Sequence, residues 1–232
     1  MTGMPRRAVV TGSSSGIGLA IARTLLAQQW QVHGLDIAPP AIAQDGFVAV
    51  RIDLCDDAAT AAAAQAAVGA AALVHSAGVL RVAPLGALDS ADAGLMWRLH
   101  VASASQLANL LVPPMVRAGS GRVVLVASRT ARGIGGRSQY AATKAAMISL
   151  ARSWAAEVAG AGVTVNVVSP AATRTAMLDD PSRAGSPPRL PPMGRLIEPQ
   201  DVASLVAYLL SPAAAAITGQ DIRVCGGASL EH

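Results

Sequence analysis

Short apolar runs alternate along this chain with longer stretches of helical period, and that alternation constrains the fold more than any other feature. Strand-like runs fall at Arg7-Val10, Gln31-Asp36, Phe47-Ile52, Ala72-His75, Arg122-Ala127, Thr164-Val168 and Ile222-Val224. Helical patterns lie between them, at Gly16-Gln28, Asp57-Val68, Ser90-Arg117, Gln139-Ala159 and Gln200-Leu210. Such alternation predicts βαβ units on a parallel sheet. Val123-Val124-Leu125-Val126-Ala127 is apolar without a break, as a strand covered on both faces should be. The expected fold is a single α/β domain over residues 1–229, a Rossmann-like doubly wound parallel sheet with helices on both faces. Leu230-Glu231-His232 resembles a tag remnant and is set aside.

Composition removes several function classes. Apolar residues make up 52% and charged residues 14%, which excludes a disordered chain. No apolar stretch approaches the ~20 residues that span a bilayer, so no membrane partner is expected. The net charge is +4, yet the basic residues are scattered, with Arg6-Arg7 the only adjacent pair, and aromatics are 3%. A nucleic-acid groove needs a basic stripe and stacking rings, and none is expected here. Cys55 and Cys225 have neither disulfide-framework nor metal spacing, so a reducing compartment and no metal are expected. The N-terminus offers no apolar leader pattern, which points to a cytoplasmic location.

The first helix opens on Thr11-Gly12-Ser13-Ser14-Ser15-Gly16-Ile17-Gly18, directly after the first strand. Glycines at 12, 16 and 18 permit a tight turn and close approach of backbone to a pyrophosphate, with the helix N-terminus supplying N–H groups. Asp36 stands twenty residues past Gly16, at the end of the second strand. An acid there accepts from ribose hydroxyls and repels a 2′-phosphate, so NAD is expected over NADP. No arginine precedes Gly16 to rescue a phosphate; Ser15 stands there.

Thr-Gly-x-x-x-Gly-Ile-Gly resembles the short-chain dehydrogenase/reductase family, and the resemblance runs from Arg7 to Ser229. Asp53-Leu54 is similar to the family pair that cradles adenine. His75-Ser76-Ala77-Gly78 is similar to its Asn-Asn-Ala-Gly element with both asparagines replaced. Pro170-Ala171-Ala172-Thr173-Arg174-Thr175 is similar to its Pro-Gly segment, and Thr218-Gly219-Gln220 through Gly226-Gly227 also fits. The resemblance implies a cofactor site made of Gly12, Ser14, Ser15, Gly16, Ile17, Gly18, Asp36, Asp53, Leu54, Ser76, Ala77, Gly78, Tyr140, Lys144, Pro170, Thr173 and Thr175. It places the Thr173 backbone and the Thr175 hydroxyl at the nicotinamide carboxamide.

Tyr140 and Lys144 are four apart at the start of a helix and project from one face. A nearby ammonium favours the phenolate and makes tyrosine a usable acid and base. Lys144 is the only lysine in the chain. Where arginine is otherwise the rule, that choice points to a compact cation with a tunable pKa. Ser128 ends the fifth strand twelve residues before Tyr140 and can donate to a substrate oxygen as charge develops on it.

The resemblance breaks at His100, which stands where the family has a catalytic asparagine. His100 is expected either to add a titratable ring to a proton path through Lys144 or to serve as packing. The expected function is NAD(H)-dependent hydride transfer between nicotinamide and a small secondary alcohol or ketone. The competing reading is a non-catalytic NAD-binding regulator or scaffold. The resemblance implies a homodimer or homotetramer through the helices at Ser90-Arg117 and Gln139-Ala159. Asp179-Pro192, with five prolines, reads as a surface loop that closes over the substrate mouth.

Overall fold

The seven apolar runs form seven parallel strands of one sheet: β1 (Arg7–Thr11), β2 (Gln31–Asp36), β3 (Phe47–Arg51), β4 (Ala72–His75), β5 (Gly121–Val126), β6 (Val163–Pro170) and β7 (Asp221–Val224). Their spatial order is β3-β2-β1-β4-β5-β6-β7. The computed structural model describes residues 6–178 and 189–230. Strand order reverses between β1 and β4, and in such a sheet the crevice beyond the carboxyl ends at that point is where ligands bind.

Period-two alternation explains how both faces are covered. Ala8 and Val10 of β1 pack into one apolar cluster, and Val9 into the other. Val124 and Val126 of β5 follow the first pattern; Val123 and Leu125 follow the second. One face is covered by α1 (Gly16–Ala27) and α6 (Pro199–Leu209) through Ile21, Leu25, Val202 and Val206. The other is covered by α2 (Asp57–Ala66), α4 (Ser103–Arg117) and α5 (Ser138–Val158) through Ala63, Leu107, Leu111, Met147 and Ala151. Alanines facing the sheet let these helices sit close, which suits a core with few aromatic rings. The doubly wound parallel sheet expected from the sequence is the observed fold.

One expected element divides. In place of a single helix over Ser90-Arg117, the chain forms α3 (Ser90–Trp97), a π-helical turn at Arg98–Ala102, and then α4. The Leu99 carbonyl accepts from His75 Nε2 at 3.1 Å and from Ser103 Oγ at 2.7 Å. Side chains thus take over a backbone acceptor, and π turns of this kind are frequent at functional sites. The apolar period runs through the turn unbroken, so the sequence pattern does not reveal it. No helix of the described residues is long and apolar enough to cross a membrane. Most of the proline-rich segment, residues 179–188, lies outside the described residues, and the loop expected there with it.

Candidate active site

A cleft of about 610 Å³ opens at the carboxyl ends of the strands. Its β1 side is built from Gly12, Ser15, Gly16, Ile17 and Gly18; Ser76, Ala77 and Gly78 follow from β4. Ser128, Tyr140 and Lys144 line the β5 side, and Pro170, Thr173 and Thr175 the segment after β6. Residues assigned from four separate stretches of sequence therefore meet on one surface.

Main-chain geometry makes the β1 side. Gly12 has φ +68°, a left-handed conformation costly for any residue with a Cβ. A Cβ placed there would lie 2.9 Å from the Cα of Ala77, so the turn and the loop after β4 approach too closely for one. Asp36 ties the turn down: Oδ2 accepts from the Ser14 amide at 2.8 Å and Oδ1 from the Ala38 amide at 2.9 Å. Ser14 and Asp36 line a small neighbouring hollow with Phe47 and Arg51 rather than the main cleft. Asp53 is exposed, with Oδ1 accepting from the Cys55 amide at 2.8 Å, and Leu54 is buried; neither lines the cleft or the hollow.

Side chains make the β5 side. Ser128 Oγ accepts from the Thr130 amide at 3.1 Å. That bond uses the oxygen as an acceptor and leaves the hydroxyl proton available for donation, on a residue that lines the cleft. Tyr140 is buried among Leu80 and Met96. Lys144 sits one turn further along α5, its Nζ 5.7 Å from the centre of the Tyr140 ring. The ammonium donates to the Val126 carbonyl at 3.1 Å, and desolvation lowers its pKa to about 7. Burial disfavours the charged form, so this lysine titrates near neutrality.

His100 is fully buried and does not line the cleft. Its ring stands edge-on to Tyr140, centroids 5.7 Å apart, with Val79 and Thr143 as hydrogen-bond partners. Burial, then the charges on Lys144 and His75, push its pKa well below the usual histidine value. Sequence reasoning missed Thr11, Thr143, Ile134 and Ala228. Thr143 lies three residues past Tyr140 on the same helical face, a spacing that flags it in retrospect. Ala228 reaches the cleft only through the fold, where its carbonyl accepts from Arg129 Nη1 at 2.9 Å.

The residues fit a nicotinamide dinucleotide. The glycine turn offers backbone where a diphosphate needs close approach, and no Asp or Glu among the described residues lines the cleft to repel it. A doubly wound parallel sheet with this turn after β1 defines the dinucleotide-binding α/β class.

Comparisons with known proteins narrow that class. Residues 12–229 match a family model described as enoyl-(acyl carrier protein) reductase. The chain is 34% identical over 239 residues to the 3-oxoacyl-(acyl-carrier-protein) reductase of Escherichia coli strain K12, covering 95% of this chain and 96% of that protein. It is 32% identical over 241 residues to D-threitol dehydrogenase of Mycolicibacterium smegmatis, covering 97% and 93% respectively. Among solved structures, a short chain dehydrogenase/reductase family protein superposes with a TM-score of 0.90 at 33% identity, over 97% of this chain and 98% of that one. Aldohexose dehydrogenase of Thermoplasma acidophilum gives 0.90 at 26% identity, over 98% and 95%. The chain belongs to the short-chain dehydrogenase/reductase family, oxidoreductases that use nicotinamide cofactors.

Proposed function

We propose that this protein is an NAD(H)-dependent oxidoreductase that interconverts a secondary alcohol and a ketone. The observation that carries the reading is the meeting of Ser128, Tyr140 and Lys144 on the cleft that the glycine turn also lines. The similar proteins named for 3-oxoacyl, polyol and aldohexose chemistry share the interconversion of a hydroxyl-bearing and a carbonyl carbon, which supports the same reaction type.

The roles in this reading are supported by each residue's place in the cleft and by the family resemblance. The turn Gly12–Gly18 and the loop Ser76–Gly78 bind the dinucleotide, with Thr173 and Thr175 at its nicotinamide end. When bound, the nicotinamide supplies or accepts a hydride at its C4. Ser128 donates to the substrate oxygen and stabilises negative charge as it develops there. The Tyr140 hydroxyl gives that oxygen a proton in reduction and takes one in oxidation, help worth roughly 10²–10⁴-fold. A cation at Lys144 stabilises negative charge on the tyrosine oxygen. Leu80 and Met96, packed on the Tyr140 ring, exclude water from one side of it.

The preference for NAD rests on Asp36. Its carboxylate ends β2 beside the turn, where a 2′-phosphate would meet like charge. Arg51, opposite on β3, directs Nε to the Ile37 carbonyl at 3.0 Å. The test is a screen of secondary alcohols with NAD⁺ and NADP⁺, followed by absorbance of the reduced cofactor. Turnover with NAD⁺ in preference to NADP⁺ is expected. Absence of turnover across the panel in both directions would overturn the catalytic reading.

A further inference from the structure

Two buried histidines, His75 and His100, stand behind the reactive groups, and all four of their ring nitrogens have partners. Thr11 Oγ1 accepts from the amides of Ser76 and Ala77, each at 3.0 Å, so its own proton is left for His75 Nδ1 at 3.0 Å. His75 Nε2 faces the Leu99 carbonyl at 3.1 Å, a group that can only accept. His75 is therefore the Nε2–H tautomer. At His100 the arrangement is reversed. Nε2 faces the Val79 amide at 3.0 Å, a group that can only donate. Nδ1 lies 2.8 Å from Thr143 Oγ1, whose proton goes to the Tyr140 carbonyl at 2.8 Å. His100 is therefore the Nδ1–H tautomer.

We propose that His100 is a positioning residue, a permanently neutral strut that pins helix α5 to the loop after β4, and not a carrier of protons. A second proton on Nε2 would meet the Val79 N–H, and no rotation of a planar amide relieves that clash of donors. The neighbouring groups reinforce the point. Lys144 faces the ring from α5 and His75 from the end of β4, both able only to add positive charge. The edge-on Tyr140 ring completes the surround. A Cβ at Gly78 would sit 3.0 Å from His100 Nε2, so the loop presses on the imidazole only because residue 78 is glycine.

The strut belongs to a longer frame. Hydrogen bonds run from Thr11, the residue before Gly12, through His75 to the Leu99 carbonyl. One peptide bond on, they continue from His100 through Thr143 to the Tyr140 backbone. The π turn at Arg98–Ala102 presents both the Leu99 carbonyl and the His100 ring to this frame. The nucleotide turn and the proposed acid/base are thereby referenced to one set of contacts, held by histidines that stay neutral between about pH 5 and 8.

The spectroscopic test does not depend on turnover. Ring ¹⁵N shifts in the labelled protein, assigned with His→Gln variants, should show Nδ1–H for His100 and Nε2–H for His75, unchanged between about pH 5 and 8. A His100 that titrates in that range, or the opposite tautomer, overturns the proposal. A kinetic test rests on the proposed activity. His100→Ala should lower kcat by about 10²-fold with KM for the cofactor little changed, since small misplacements cost that much. His100→Asn supplies an amide acceptor and donor on one side chain and should recover most of the loss with the same pH–rate profile. Wild-type kcat in His100→Ala, or a pH–rate limb missing from His100→Asn, would contradict the strut. Absence of any turnover in the wild type would defeat the proposed activity and leave the tautomer result to decide on the strut.

Discussion

The two sides of the cleft are built from different materials. On the β1 side the surface is backbone: a glycine turn with φ +68° at Gly12, pressed so close to Ala77 that a methyl group has no room. On the β5 side it is side chains: Ser128 fixed by the Thr130 amide, Lys144 by the Val126 carbonyl, Tyr140 by packing on Leu80 and Met96. In the proposed function the backbone side recognises what every dinucleotide has in common and works by leaving atoms out. In that same proposed function the side-chain side performs a proton transfer and works by having particular atoms in place. Adding an atom should therefore damage the first, and removing one should damage the second.

The largest expected effect sharpens this contrast. Tyr140→Phe removes one oxygen from a ring that packing holds in position, and kcat should fall by at least ~10²-fold while the fold is kept. Steady-state kinetics with any accepted alcohol checks it, and wild-type turnover would break the comparison. Next comes the opposite edit. Gly12→Ala adds one carbon, forces a left-handed alanine worth about 1–2 kcal/mol and should lower Tm by roughly 2–8 °C. Nucleotide affinity should weaken by about tenfold, the equivalent of about 1.4 kcal/mol, in a calorimetric titration.

A third effect is electrostatic and confined to the β5 side. Burial lowers the Lys144 pKa from 10.5 to about 7, so between those values the unfolded chain binds the extra proton. Stability of the ligand-free protein should therefore rise with pH across that window; below it, the burial penalty is fully present. The stability of wild type relative to Lys144→Met should rise by up to about 1.4 kcal/mol per pH unit between those values, as read from urea unfolding at neutral and alkaline pH. A constant difference would mean that the lysine is not desolvated. The smallest effect lies beside the glycine turn. Asp36→Ala should narrow the preference for NAD over NADP by a few-fold, about 1 kcal/mol or less, by removing a like charge from the 2′-position. A wild type with higher kcat/KM for NADPH would refute the role of Asp36.

The backbone side was the more legible in the sequence. Gly12, Gly16, Gly18 and Asp36 stand out, because that glycine spacing after a strand, with an acid at the next strand end, suits little besides a bound dinucleotide. Tyr140 and Lys144 were legible through their spacing of four and through the chain's lack of any other lysine. What could not be read was the support behind them. Thr11 and Thr143 are unremarkable residues whose roles depend on which hydroxyl proton points where, and periodicity carries no such information. The π turn was hidden because His75, twenty-four residues from Leu99, takes its carbonyl, a contact that exists only once β4 and the helix are packed together. His100 was visible as a departure from a pattern, yet its contacts come from the tertiary fold.

The central claim is that binding and chemistry are divided between the two sides, and one paired measurement tests it. NADH dissociation constants and kcat are determined for wild type, Gly12→Ala and Tyr140→Phe in the same buffer. The account predicts that Tyr140→Phe keeps the wild-type dissociation constant within about threefold while kcat falls by at least ~10²-fold, and that Gly12→Ala weakens NADH binding by about tenfold. A Tyr140→Phe variant that loses NADH as severely as Gly12→Ala, or that turns over like the wild type, would contradict it.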